Sequence, residues 1–304
     1  MSPAVVVPAA LAATHRTSSR GSSWIDGLPA LAEQRLAAWR LRPDGAARHG
    51  MVALVLPVVR ADGSAAVLKL QPVTEDTAGE PVGLRVWGGQ GAVRLLEHDP
   101  DSGSMLLERL TATSLSSVDD DVAAARILAG LLARLSVVPA PPGVRRLSDI
   151  AAAMVTDMPE ACAQLSDPAQ RRLLEHCAGV VEELRGEAGD RLLHWDLHYD
   201  NVLAAQREPW LAIDPQPLAG DPCFELMPAL HNRWDDVVAT GDVAAAVRRR
   251  FEAMIEVVGL DRQRAAGWTL GRVLQNCLWD IEDGETELND VQVAVAEALI
   301  GWGP

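Results

Sequence analysis

Two apolar runs, residues 51–59 (MVALVLPVV) and 65–70 (AAVLKL), stand either side of Arg60-Ala61-Asp62-Gly63-Ser64. No other stretch limits the possible folds as strongly. An Asp-Gly step between two β-favouring runs predicts an antiparallel hairpin, because glycine reaches the positive φ that a tight turn needs. Ahead of it, residues 28–39 set Leu31, Leu36 and Trp39 on or near one helical face. A further apolar strand is predicted at 105–110, and a short one at 210–213. After Thr111 the spacing becomes helical, with segments near 119–135, 167–184, 243–258, 261–283 and 291–302, several opened by an Asp or Ser suited to an N-cap. No internal repeat is visible, and residues 137–143 (VVPAPPG) read as a stiff connector. The expectation is an α+β fold in two parts, a strand-rich part at 24–110 and a helical part at 111–304, behind a mobile lead-in at 1–23 that is rich in Ser and Thr near its end.

Lys69 interrupts an apolar strand, where a desolvated ammonium is costly unless an anion lies near. A strand lysine that follows a glycine-bearing loop, here residues 42–50, matches the one with which phosphotransferases grip nucleotide phosphates, steadied by a glutamate from a helix. The plainer reading is a strand-edge lysine reaching water. Glu80 is preferred to Glu75 as the partner, although Pro81 biases residue 80 away from helical geometry. The loop departs from G-x-G-x-x-G spacing and is weak evidence alone. Glu108 and Leu110 close the strand before the polar segment 111–114, where backbone N–H and C=O groups can meet an adenine edge.

His194-Trp195-Asp196-Leu197-His198-Tyr199-Asp200-Asn201 fits the pattern H-x-D-x-x-x-x-N. In that pattern the aspartate accepts a proton from a substrate hydroxyl and the asparagine binds magnesium. Asp214, at the end of the 210–213 strand, is placed to hold the second magnesium contact. His194, Asp196 and His198 also alternate as three ligands of a zinc or iron site would, but that reading leaves Asn201 and Asp214 without a purpose. His198 is expected to hydrogen-bond backbone carbonyls and stiffen the loop, and Asp200 to be solvated.

A formal charge of −15 and 48% hydrophobic residues argue for a globular chain that avoids nucleic acid and anionic membranes and leaves room for a cationic substrate. Cys162, Cys177, Cys223 and Cys277 lie far apart with no C-x-x-C pair, which fits a reducing cytoplasm and no disulfide framework. Residues 3–13 resemble the apolar part of a signal peptide but lack a basic start and carry prolines. No run is long enough for a membrane span. A monomer is expected.

With these residues in view, the segments LLHWDLHYDNVL (192–203), LAIDPQPLAGDP (211–222), GGQGAVRLLEHD (88–99), LLERL (106–110) and GWTLGRVLQNCLWDIEDG (267–284) resemble the aminoglycoside/hydroxyurea phosphotransferase family, from about residue 24 to the C-terminus. The resemblance implies a protein-kinase-like two-lobed fold, ATP with Mg2+ as cofactor, and transfer of the γ-phosphoryl group to a hydroxyl of streptomycin, which inactivates the antibiotic. It carries over Asp196, Asn201, Asp214, Lys69 and Glu80. A family kinase of another hydroxylated compound, such as hydroxyurea or a peptide antibiotic, stays open, as does a kinase-like binding protein without turnover. The complete set of Lys69, Asp196, Asn201 and Asp214 speaks against the last.

Streptomycin bears guanidinium groups, which carboxylates bind by charge-assisted hydrogen bonds. Asp235, Asp236, Asp280, Glu282 and Asp283 are the candidate acids for such a pocket. Trp234 and Trp279 beside them can stack on guanidinium planes. The alternative for each acid is a solvated helix face.

Overall fold

The computed structural model describes residues 5–301, and the chain divides into two compact units between Thr111 and Ala112. Unit 1 opens with helices α1 (Ala9–His15) and α2 (Ser19–Ala38). Strands β1 (Arg42–Pro43), β2 (Arg48–His49), β3 (Leu54–Val59) and β4 (Ala65–Leu70) follow, then α3 (Glu80–Trp87), β5 (Leu95–Asp99) and β6 (Ser104–Glu108). The six strands form one antiparallel sheet in the order β1-β3-β4-β6-β5, with β2 also paired to β3. The β3–β4 hairpin pairs Val59 with Ala65 and Val55 with Lys69. Its turn is tied by Asp62, whose side chain accepts from the Ser64 N–H at 2.9 Å, while Gly63 takes φ 84°.

Period-2 alternation decides where the core lies. Leu54, Leu56 and Val58 of β3 and Ala66, Leu68 and Leu70 of β4 are buried together with Leu11 of α1 and Ile25, Leu28 and Ala32 of α2. Lys69, one position out of step, therefore points to the opposite face of the sheet.

Two expectations need correction here. Residues 9–15 and 19–23, read as a mobile lead-in, are helical: Leu11 is fully buried in the unit's core, and the Ser18 side chain caps α2 by accepting the Gly21 N–H at 3.1 Å. Apolar anchoring thus outweighs a composition typical of linkers. Pro3 and Ala4 of the signal-like stretch, and Trp302 of the last predicted helix, lie outside the described residues. Of the glycine-bearing segment 42–50, residues 42–43 and 48–49 are short strands flanking the connection 44–47, and a second turn, Gly50 to Ala53, is closed by the Gly50 N–H on the Ala53 carbonyl at 3.0 Å with Met51 at its tip.

Unit 2 is helical around short strands. Its helices are α4 (Asp121–Leu135), α5 (Leu147–Gln164), α6 (Pro168–Leu184), α7 (Met227–His231), α8 (Trp234–Ala239), α9 (Val243–Val258), α10 (Arg262–Glu282) and α11 (Asp290–Leu299). The side chains of Asp120, Asp167, Asp242, Asp261 and Asn289 cap α4, α6, α9, α10 and α11. α5 gave no sequence signal because Arg146 precedes it without a side-chain cap and Pro159 lies inside it. The strands are β7 (Arg145–Arg146), β8 (Arg191–Leu193), β9 (Val202–Ala204), β10 (Trp210–Ala212) and β11 (Leu218–Gly220). β9 and β10 form an antiparallel pair, and β11 lies between β7 and β8. No described helix is long and apolar enough to cross a membrane.

Candidate active site

On the sheet face opposite the core of unit 1, Lys69 is buried and its ammonium donates to both oxygens of Glu80 at 2.8 and 2.7 Å. Gln71 donates to the same carboxylate at 2.8 Å. Glu80 begins α3 with Pro81 next to it in the first turn, where proline's missing N–H costs nothing, so the helix forms despite the bias that Pro81 places on residue 80. Lys69 is the sole lysine among 27 basic residues. A chain that otherwise uses arginine keeps a compact ammonium at this buried position. Glu108 ends β6, and its carboxylate is engaged by the Arg94 N–H at 2.8 Å. Leu110 follows, half-buried, beyond the strand.

In unit 2 the two short sheets bring the motif residues together. β8 delivers the loop that begins at His194, and β9 starts directly after Asn201, paired with β10 so that Val202 faces Ala212 two residues before Asp214. Three bonds stitch the segments: the Ile213 N–H on the Asn201 carbonyl at 2.9 Å, the Gln216 N–H on the His194 carbonyl at 2.9 Å, and the His194 Nε2 against the Ile213 carbonyl at 2.9 Å. Trp195 and Asp214 adopt φ of 66° and 56°, backbone strain of the kind that accumulates at functional loops. Burial drives the His194 pKa down to about 3, so this ring is a neutral strut.

Asp196 is half-buried. The Asn201 Nδ2 donates to its carbonyl at 2.9 Å and to its carboxylate at 3.3 Å, which turns the amide oxygen of Asn201 away from Asp196. That oxygen and the Asp214 carboxylate are hard donors of the sort magnesium accepts, few enough that phosphate oxygens and water complete the shell. Burial raises the Asp196 pKa, opposed by His198 and Arg272. Among the described residues no group of three His, Cys, Asp or Glu is arranged to hold a metal, and His194 is committed to a carbonyl, so the His194-Asp196-His198 zinc reading has no geometry to stand on. His198 accepts the Asp200 N–H at 3.3 Å rather than donating to a carbonyl. Asp200 is exposed, as expected, and its carboxylate also accepts from the Ser116 hydroxyl at 2.5 Å and lies 3.5 Å from the Asn232 amide.

Two buried charges escaped the sequence reading. Glu225 accepts the His194 N–H at 2.9 Å and the Trp195 N–H at 2.7 Å, anchoring the loop from beneath. Burial lifts its pKa to about 7. Arg272 of α10 lies near Asp196 and Glu225, 5.3 Å from the centroids of both Trp195 and Trp279 and 5.7 Å from Phe224.

The candidate substrate acids form two groups at opposite ends of the loop. Trp279, 43% exposed, packs 6.3 Å from Trp195, which precedes Asp196. Asp280, Glu282 and Asp283 follow at the C-terminus of α10, where a helix dipole disfavours anions. Burial, then Glu285 and Asp283, raise the Asp280 pKa. At the other end, Trp234, Asp235 and Asp236 start α8. Asp236 is already paired with Arg233 at 2.6 Å, Arg233 also lies over Tyr199, and Asp235 is exposed.

The family model described as aminoglycoside/hydroxyurea antibiotic resistance kinase matches residues 38–284. A streptomycin 6-kinase of Streptomyces glaucescens is 60% identical over 300 residues, 98% of each chain. A hydroxyurea phosphotransferase of Kitasatospora aureofaciens is 55% identical over 284 residues, 92% of this chain and 81% of its own. A solved aminoglycoside phosphotransferase, a thermostable mutant in ternary complex with ADP and hygromycin B, matches with a TM-score of 0.61 at 12% identity, over 90% of this chain and 99% of that one. At that identity the likeness bears on fold alone, and the α+β fold is protein-kinase-like.

Proposed function

We propose that this chain, which belongs to the aminoglycoside/hydroxyurea antibiotic resistance kinase family, transfers the γ-phosphoryl group of ATP to a hydroxyl of streptomycin and so inactivates the antibiotic. The observation that carries the reaction is the stitching of the Asp214 segment to the Asp196–Asn201 loop. The 60% identity to a streptomycin 6-kinase supports the acceptor.

Asp196 accepts the proton of the acceptor hydroxyl as the oxygen–phosphorus bond forms and the bond from the γ-phosphorus to the bridging oxygen breaks, leaving its electron pair on ADP. Burial makes Asp196 a better proton acceptor than an exposed aspartate, and the Asn201 amide keeps its carboxylate aimed. Glu225 fixes the loop through two backbone N–H groups. Lys69, held by Glu80, engages the α- and β-phosphates, and backbone groups of residues 108–110 meet the adenine edge. Asn201 and Asp214 would hold magnesium, whose charge would offset that of the phosphates. The four cysteines are buried free thiols, in keeping with a reducing cytoplasm.

Asp280, Glu282 and Asp283 offer carboxylates to the guanidinium groups of streptomycin, with Trp279 as the stacking face. Acids gathered against a helix dipole gain most from a cation. Asp235 supports the far end of the acceptor. Phosphorylation of hydroxyurea is the second reading, favoured by the 55% relative. A small neutral acceptor would leave these acids unused.

Protein incubated with magnesium, ATP and either compound, with product mass measured, tests the assignment. Phosphorylated streptomycin is expected, and turnover confined to hydroxyurea would overturn it. Replacing Asp280 and Asp283 together by Asn should raise the streptomycin KM by roughly tenfold or more at low salt while the ATP KM stays within about twofold. An unchanged streptomycin KM would make these acids a solvated helix face.

A further inference from the structure

Arg272 is only 8% exposed, and its Nε–H and Nη1–H are buried without a hydrogen-bond partner. A guanidinium taken out of water normally spends its donors on a carboxylate or on carbonyls, because an unpaired buried charge is among the costliest features a fold can carry. Here three rings hold the group instead. Trp195 and Trp279 lie 5.3 Å from its carbon and Phe224 lies 5.7 Å away. Aromatic faces stabilise the charge and fix its plane while leaving N–H donors unspent.

The neighbouring carboxylates are engaged elsewhere. Glu225 takes the His194 N–H on one oxygen and the Trp195 N–H on the other, and Asp196 takes the Asn201 amide. A cationic acceptor brings no anion to this place. The group that does arrive beside Asp196 with negative charge is the phosphoryl group in flight, which carries its charge on three peripheral oxygens. A rigid guanidinium next to the base also offsets the repulsion between that group and Asp196.

We propose that Arg272 is a further catalytic residue, its Nε–H and Nη1–H donating to a phosphoryl oxygen as the group passes to the acceptor hydroxyl beside Asp196. This rests on the phosphotransferase reading but not on the identity of the acceptor.

The test uses the full chain and two variants, Arg272→Gln and Arg272→Lys, the second keeping the charge and the fold while losing the planar fork. MgADP affinity is measured with and without aluminium fluoride, a mimic of the transferring phosphoryl group, in the presence and absence of streptomycin. Wild type should bind ADP more tightly with the fluoride. Both variants should bind MgADP alone as wild type does, within about twofold, yet lose at least about tenfold of that tightening, and kcat should fall about a hundredfold with little change in the streptomycin KM. Full tightening in Arg272→Lys overturns the proposal. So does a loss confined to the streptomycin KM, which would place the acceptor rather than the phosphoryl group on Arg272. Wild type that fails to tighten under either condition also overturns it, and leaves the streptomycin assignment to its own turnover assay.

Discussion

Asp196 works at the end of a chain of supports, and its substitutions separate chemistry from binding. Asp196→Asn keeps the size of the side chain but removes the proton acceptor, so kcat should fall by about 100-fold or more while ATP affinity measured by titration stays close to wild type. Near-normal turnover would remove Asp196 from the chemistry. Asp214→Ala takes away a hard oxygen donor instead. It should weaken nucleotide binding in the presence of magnesium, with little effect when the metal is chelated, and an affinity equally insensitive to magnesium in both proteins would sink its assignment. At this scale legibility followed chemistry that lies within one stretch of chain. Asp196, Asn201 and Asp214 stand at recognisable spacings, and Lys69 stands out in an apolar strand. Glu225 and Arg272 were not legible, because a lone Glu or Arg on a helical stretch looks solvated until the fold buries it.

Short elements, more than the long helices, set the geometry around Asp196. β11 lies against β8, pairing Leu218 with Leu193 immediately before His194. Gly220 allows that approach, since a Cβ there would come within 2.9 Å of the Leu147 Cβ and the Leu193 Cδ1. Gly220→Ala should therefore cost about 1–3 kcal/mol by overpacking and shift β8, lowering kcat with it, as small misplacements of a catalytic group do. Gly179→Ala is the control: it lies within α6 with open space around its Cβ and should hold or raise Tm, since alanine favours helix by about 1 kcal/mol. Equal Tm values for the two variants would show that β11 yields freely. The β3–β4 hairpin and the Asp-capped helices were readable because their signals are local. The three-residue strands β8, β9 and β11 were not, because β8 and β11 exist only by pairing with each other, and β9 only by pairing with β10, across the loops they organise. The helical N-terminus was missed for a related reason: its anchor, Leu11, gains its value from a sheet that comes later in the chain.

Across the whole molecule, buried titratable groups make stability depend on pH in two opposing senses. His194 and His231 have folded pKa values near 3 and 4, below the ordinary 6.5, and burial is the first cause for both. The unfolded chain binds protons there that the folded chain refuses, so their contribution is present above about pH 6.5 and is lost as pH falls toward 4 and then 3. Glu225 runs the other way. Burial raises its value from 4.5 to about 7, so the folded chain holds a proton that the unfolded chain releases, and its contribution is present below about pH 4.5 and lost as pH rises through 7. Difference curves separate the two. The stability of wild type minus that of His231→Asn, followed by denaturant unfolding, should shrink as pH drops from 6.5 to 4, with a limiting slope on the order of 1 kcal/mol per pH unit. Wild type minus Glu225→Gln should instead shrink as pH rises from 4.5 past 7. Curves that are flat, or that slope the same way, would mean that water reaches these side chains in the folded state and that the loop beneath Asp196 is not the dry, fixed platform on which the proton transfer depends.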